Sequence, residues 1–243
     1  MAMRILLLCV ASLLGACAHS PADDPQDPLE GMNRAVYGFN EVADKYVAQP
    51  VARGYVKVLP GPVRTGVTNF FSNLTYPTVI VNSALQGKLA QAGIDTSRFL
   101  VNTTFGIGGL LDAASRVGLE ANDEDFGQTL GYWGVGQGWY LMLPILGPST
   151  NRDLVGRVGS AFTDPVTYMN SEVSIPLTVV NAVDSRAQLL GTEAILEQQF
   201  DRYAFIRGIY LQRRQFLVYD GNPPKEEIDY GDDDEEETEP ESP

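Results

Sequence analysis

Residues 126–151 form a run of 26 positions, between Asp125 and Arg152, without a single charged side chain. That run is too long for an ordinary solvated loop. Nor is it one spanning helix, which needs about 20 mostly apolar residues without interruption. Gly131, Gly134, Gly136 and Gly138 punctuate it, and Pro144 breaks the apolar stretch 141–146. Both tryptophans of the chain lie here, Trp133 and Trp139, each beside a tyrosine, Tyr132 and Tyr140, with Leu141 next in line. Paired Trp and Tyr beside an apolar patch suit a boundary between water and hydrocarbon. The competing reading is a glycine-rich turn region that packs its aromatics into an ordinary core. A second uncharged run, 65–87, contains Phe70 and Phe71.

The beginning of the chain supports the boundary reading. A short basic start reaching Arg4 precedes an apolar run over 5–14, which closes on Leu14-Gly15-Ala16-Cys17. This is the pattern of a bacterial lipoprotein signal. It predicts a leader over 1–16, removed before an acylated Cys17, and a flexible spacer over 17–26. Acyl chains contribute about 0.8 kcal/mol per buried CH₂, so release into water is negligible. The residue after the anchor is Ala18 rather than aspartate, which resembles an outer-membrane address.

Composition then narrows the chemistry. Cys9 leaves with the leader and Cys17 carries lipid, so no disulfide is available. His19, in the spacer, is the only histidine. Histidine triads, cysteine nucleophiles and the usual zinc sites are therefore excluded. We expect no catalytic residue, no metal, no cofactor and no nucleic-acid partner. The net charge of −14 is concentrated at one end, since residues 220–243 hold twelve acids and one lysine. Like charges at that density repel and offer nothing apolar to bury. That tail reads as disordered, either a solubilising segment or a docking segment for a basic partner.

Between spacer and tail, residues 27–219 read as one all-α domain. Met32, Val36, Phe39, Ala43, Tyr46 and Val47 recur at steps of three and four, one stripe of an amphipathic helix ending before Pro50. Pro62 opens a second, with Val63, Val67, Phe70, Phe71 and Leu74 on one side. A shorter piece starts near Pro77, and another covers 89–103. Ser149 and Thr150 read as an N-cap for 153–162. Helical spacing returns over 186–190 and 194–216, with Gly221 as a stop. Thr78–Val81 is β-branched but too short to anchor a sheet.

The remaining motifs read as structural. Gly106-Ile107-Gly108-Gly109 lacks the Gly-Lys-Ser/Thr of a phosphate loop, so its glycines mark bends or close packing. Asp123-Glu124-Asp125 precedes a helix start at Phe126, where acids favour the positive end of the dipole. Arg202, Arg207, Arg213 and Arg214 on the final helix form a solvated face beside Glu193, Glu197 and Asp201. Phosphate contact is the alternative, and Arg207, Arg213 and Arg214 are its candidates.

Several blocks recur in order along one known family. Asp27-Pro28-Leu29-Glu30-Gly31-Met32-Asn33-Arg34, Asn102-Thr103-Thr104-Phe105-Gly106-Ile107-Gly108-Gly109 and Phe126-Gly127-Gln128-Thr129-Leu130-Gly131 resemble the VacJ/MlaA family of outer-membrane lipoproteins. So do residues 140–148 with Arg152-Asp153 behind them, and Arg186-Ala187-Gln188-Leu189-Leu190 followed by Tyr210-Leu211-Gln212-Arg213. The resemblance implies a ring- or disc-shaped helical body with an amphipathic central passage, sunk in the inner leaflet of the outer membrane of a Gram-negative bacterium, on its periplasmic side. It implies removal of mislocalised phospholipid from the outer leaflet and delivery to a soluble periplasmic carrier of the MlaC type. It also implies association with trimeric porins.

On that picture the uncharged runs line the passage, with Phe70, Phe71, Tyr132, Trp133, Trp139, Tyr140 and Leu141 as its walls. Gly131, Gly134, Gly136 and Gly138 would hinge a mobile lip over 132–146. Two other readings remain: a porin-associated scaffold that conducts no lipid, and an anchored hydrolase, which the missing His and Cys oppose.

Overall fold

The computed structural model describes residues 24–224. The leader, Cys17, His19 and the acidic stretch from 225 onward lie outside the described residues. The body is helical, as the spacing predicts, but its boundaries differ in instructive places. Helix α1 (Glu30–Ala43) passes through a π-helical segment (Asp44–Ala48) into α2 (Gln49–Val58). The expected stop before Pro50 does not occur. Proline falls in the first turn of α2, where its missing N–H matters least. The wider π turn lets the Gln49 N–H reach the Asp44 carbonyl, five residues back.

Helix α3 (Gly61–Leu85) likewise runs through Pro77, where a fresh start is expected. An interior proline costs about 3 kcal/mol. Burial of Tyr76, Thr78 and Val79 immediately around it offsets that cost. The β-branched 78–81 stretch is therefore helical, because its side chains are needed inside. Gly87, at φ +77°, turns the chain into α4 (Leu89–Thr104), which packs back along α3. The short α5 (Ala113–Arg116) and then α6 (Phe126–Tyr132) follow.

An antiparallel hairpin, which the weak strand signals did not predict, comes next. β1 (Tyr140–Leu143) pairs with β2 (Gly147–Thr150), Tyr140 opposite Thr150 and Leu143 opposite Gly147. Helix α7 (Asn151–Ala161) starts directly from β2, and Thr150 caps it by accepting from the Asp153 N–H at 3.1 Å. Helix α8 (Ser171–Gln188) packs on α2 and α3. The single helix expected over 194–216 is two, α9 (Glu193–Glu197) and α10 (Arg202–Val218). Asp201 breaks them by capping α10, accepting from the Ala204 N–H at 3.0 Å.

The interior is unusual in polarity. Among the described residues, nineteen polar or charged residues are buried against ten apolar ones. Large apolar side chains instead point outward from nearly every helix, including Phe39, Val47, Val58, Phe105, Phe162 and Ile175. Buried carboxylates and amides bond the helices to one another. Asp95 accepts from Ser83 (2.8 Å), Gln91 (3.0 Å) and Asn122 (3.0 Å), and Gln86 donates to Glu124 (2.7 Å). No described helix is long and apolar enough to cross a membrane.

Candidate functional site

The charge-free middle begins at a cap. Asp125 accepts from the Gln128 N–H at 2.8 Å and so starts α6 where the acids predict a start. The same carboxylate receives both Nη atoms of Arg214, at 2.6 and 3.0 Å, and Arg214 Nη2 also reaches Asp153 at 2.7 Å. Burial pushes the Asp125 carboxyl up, but the Arg214 hydrogen bonds and charge outweigh it and hold it below the usual range. Tyr210 donates to Asp153 at 2.7 Å, and burial followed by that bond raises the phenol.

Helices α6 and α7 meet over glycine. A Cβ on Gly156 would sit 2.5 Å from the Gly127 nitrogen, and one on Gly159 would sit 2.2 Å from the Phe126 ring. Gly106 and Gly109 are packing points of the same kind. A Cβ on Gly106 would meet the Leu111 and Asn102 carbonyls at 2.2 and 2.3 Å, and one on Gly109 would meet Asn73 at 2.5 Å.

From α6 the chain leaves into an irregular segment, 133–139, and then into the hairpin. Tyr132, Trp133 and Trp139 are each about half exposed. Trp133 keeps its indole N–H on the Leu85 carbonyl at 3.2 Å while its ring edge meets Phe126. Tyr140, by contrast, is fully buried against Tyr203 and Tyr210. It belongs to the interior rather than to a wall open to lipid, because strand alternation sends neighbours 139 and 140 to opposite faces. Leu141 is half-buried, and the hairpin tip carries Ile145 and Leu146 into the open, 81% and 63% exposed.

One helix holds this hairpin by its backbone. On α1, Asn33 donates to the Tyr140 carbonyl at 3.0 Å and accepts from the Met142 N–H at 2.8 Å. Two turns later Asn40 donates to the Leu143 carbonyl at 2.9 Å and accepts from the Ile145 N–H at 2.7 Å. The two amides serve the free edge of β1 as a third strand would. Asn40 also holds Ile145 at φ +66°, a conformation a β-branched residue rarely adopts.

The other predicted positions divide. Phe70 and Phe71 form an edge-to-face pair on α3, with Phe71 buried. Leu85, which Trp133 touches, lies about 21 Å further along that helix at 1.5 Å per residue. The two aromatic groups are therefore not neighbours. Among the glycines, Gly134 (φ +86°) and Gly138 (φ +69°) occupy left-handed backbone, and Gly136 has open space around it. Gly131 is a packing point rather than a hinge, since a Cβ there would meet Val218 at 2.8 Å and Arg152 at 2.9 Å.

Two of the arginines offered for phosphate contact are committed elsewhere. Arg207 binds Asp24 (2.7 Å) and the buried Asp27 (2.9 Å), and Arg214 is held by Asp125 and Asp153. Neither face pairs with Glu193, Glu197 or Asp201, because the partners come from distant segments. Only Arg213 is largely exposed, with Asp123 at 4.0 Å. Residue spacing singled out none of Asn33, Asn40, Arg152 or Tyr203. Arg152 is 7% exposed behind the 133–139 segment, where Nη1 reaches the Val135 carbonyl at 3.4 Å. The one legible signal was two asparagines seven apart on α1, hence on one face.

Comparison with known proteins places this arrangement. The model of a family described as MlaA lipoprotein matches residues 25–217. The chain is 37% identical over 228 residues to the intermembrane phospholipid transport system lipoprotein MlaA of Escherichia coli, covering 91% of each. To the protein of that name from Haemophilus influenzae it is 35% identical, covering 88% of this chain and 89% of the relative. A solved structure from work on the structural basis for maintenance of bacterial outer membrane lipid asymmetry superposes with a TM-score of 0.73 at 38% identity, over 79% of this chain and 98% of the other.

Proposed function

We propose, from the premise that the chain belongs to the MlaA lipoprotein family, that it transports phospholipid between membranes and so maintains the lipid asymmetry of the outer membrane. The observation that carries this reading within the molecule is its inverted polarity, with apolar side chains outward and polar ones bonded inside. Such a body lies within a leaflet without crossing the bilayer. Acylation of Cys17 would tether it there, on the periplasmic side. A phospholipid that leaves a bilayer unaided exposes about thirty methylenes, ~25 kcal/mol of unfavourable contact with water. A surface that keeps tails dry and heads wet lowers that barrier without a nucleotide and without bond chemistry.

In this reading the exposed aromatics Tyr132, Trp133 and Trp139 and the hairpin tip flank the route of the acyl chains. Gly134, Gly136 and Gly138 let the 133–139 segment move as a lip. Lipid passes to a soluble periplasmic carrier of the MlaC type, and a trimeric porin holds the protein in place. The test is the amount of phospholipid in the outer leaflet of intact cells. Deletion should raise it and the wild-type gene should restore it. Trp133→Ala, or a bulky residue at Gly136, should fail to restore it while porin co-purification is unchanged. Full restoration by both variants would remove the 133–139 segment from the route.

A further inference from the structure

A cavity of about 210 Å³ opens between α2, α3 and α8, away from the charge-free middle. Tyr55, Arg64, Thr65, Thr68, Asp184 and Gln188 face it. Asp184 is 3% exposed, and both its oxygens are occupied. Tyr55 donates to Oδ1 at 2.8 Å, and Thr68 and Gln188 donate to Oδ2 at 2.8 and 2.9 Å. Burial and the bond to Asp184 push the Tyr55 phenol up to about 12, so it remains a donor at neutral pH. Arg64 is different. Its Nε is enclosed without a hydrogen-bond partner, as are those of Arg98, Arg152 and Arg214, but its partly buried guanidinium forms no ion pair with a carboxylate among the described residues. Arg98, Arg152, Arg186 and Arg214, by contrast, are each paired with an acid.

An enclosed donor without an acceptor costs on the order of 1–3 kcal/mol, so an anionic acceptor in this cavity would stabilise Arg64. Its volume matches about seven waters at ~30 Å³ each, enough for a phosphodiester group. Val58, Val63 and Leu189, close in sequence to the lining residues, are 76%, 48% and 55% exposed. We propose that this cavity is a binding site for the phosphodiester of a phospholipid headgroup, with Arg64 as its cation and the acyl chains running out over Val58, Val63 and Leu189. The proposal rests on the phospholipid-transport reading and names where that substrate's head is held. The carboxylate of Asp184 in the same cavity opposes a second negative charge, so a zwitterionic head is the better fit.

The shared chemistry, a phosphate oxygen on a guanidinium, also admits free phosphate, and the test separates the two. Full-length protein in non-ionic detergent is titrated with dihexanoyl phosphatidylethanolamine, and separately with inorganic phosphate, while the Arg64 Nε–H resonance is followed by NMR. The resonance should shift saturably with the lipid and stay in place with phosphate. R64Q should weaken lipid binding at least about tenfold, the loss of one charge-assisted hydrogen bond. R64K should recover part of it, and R116Q, at an exposed arginine, should change nothing. A shift with phosphate equal to that with lipid overturns the headgroup assignment. A silent Arg64 resonance in wild-type protein that still binds lipid overturns the site and leaves the transport reading standing. Wild-type protein that neither binds the lipid nor moves it between vesicles overturns both.

Discussion

At the scale of single residues, the hairpin shows what hydrogen-bond satisfaction demands. A strand edge buried against a helix must find partners for each N–H and C=O, and helices normally have none to offer. Asn33 solves this with one side chain that both donates and accepts. Asn33→Ala leaves the Tyr140 carbonyl and the Met142 N–H unpaired in a buried site. At about 1–3 kcal/mol for each orphaned group, the variant should lose about 2–6 kcal/mol, read as a lowered midpoint in denaturant. A loss below about 0.5 kcal/mol would mean that water replaces the amide. The residue scale is also where the sequence was least legible. Trp139 and Tyr140 look like one aromatic unit until a strand is recognised, and then period two separates them into surface and core. Arg207 and Arg214 look solvated because their acids, Asp24, Asp27, Asp125 and Asp153, lie 61 to 183 positions away.

At the scale of elements, helix positions were legible wherever local signals acted alone. The cap at Asp125, the cap at Thr150 and the start of α4 all follow from residue type and spacing. The break at Pro50 was misread because proline there falls in a first turn that follows the π segment, and the break at Pro77 because burial of its neighbours offsets the local penalty of proline. What joins the elements is electrostatic as much as apolar. Glu193, at the start of α9, accepts from Gln49 (2.8 Å) and Arg53 (3.0 Å) on α2 and from Arg186 (2.6 Å) on α8. Burial alone would raise this carboxyl, but those three donors and the charge of Arg186 bring it to about 2, from an ordinary 4.5. A depressed carboxylate stabilises the fold fully above its unfolded value and loses that contribution as pH falls toward the folded one. Glu193→Gln should therefore lower Tm at pH 7, with the gap from wild type closing between about pH 5 and pH 2. A gap that stays constant across that window would show that the junction does not depend on the charge.

At the scale of the whole molecule, the inverted polarity was legible only in outline. A charge-free middle pointed to a lipid boundary, but outward apolar faces on the ordinary amphipathic helices did not. Amphipathic spacing tells which residues share a face and is silent on whether that face meets a core or a membrane. The packing shows here that the face does not meet a core. On α1 and α2 the exposed set is Phe39, Val42, Tyr46, Val47, Val51 and Val58, while Asn33 and Ala52 point inward. A contiguous apolar surface of this extent on a monomer marks contact with another apolar phase. If that phase is the bilayer, the acyl anchor proposed at Cys17 is not the only attachment.

The variant Cys17→Ser, which cannot be acylated, should still float with phospholipid vesicles in a density gradient. Glutamates at Val47, Val58, Phe105 and Ile107, all more than 60% exposed, should abolish flotation of that variant without unfolding it, since none of these side chains fills the interior. Each buried charge costs about 2.5–3.5 kcal/mol at mid-depth and less near the headgroups. Four together therefore outweigh the apolar gain even at shallow insertion. A non-acylated protein that stays in the aqueous fraction would assign membrane attachment to the lipid anchor alone. The outward side chains would then have to meet a protein partner instead.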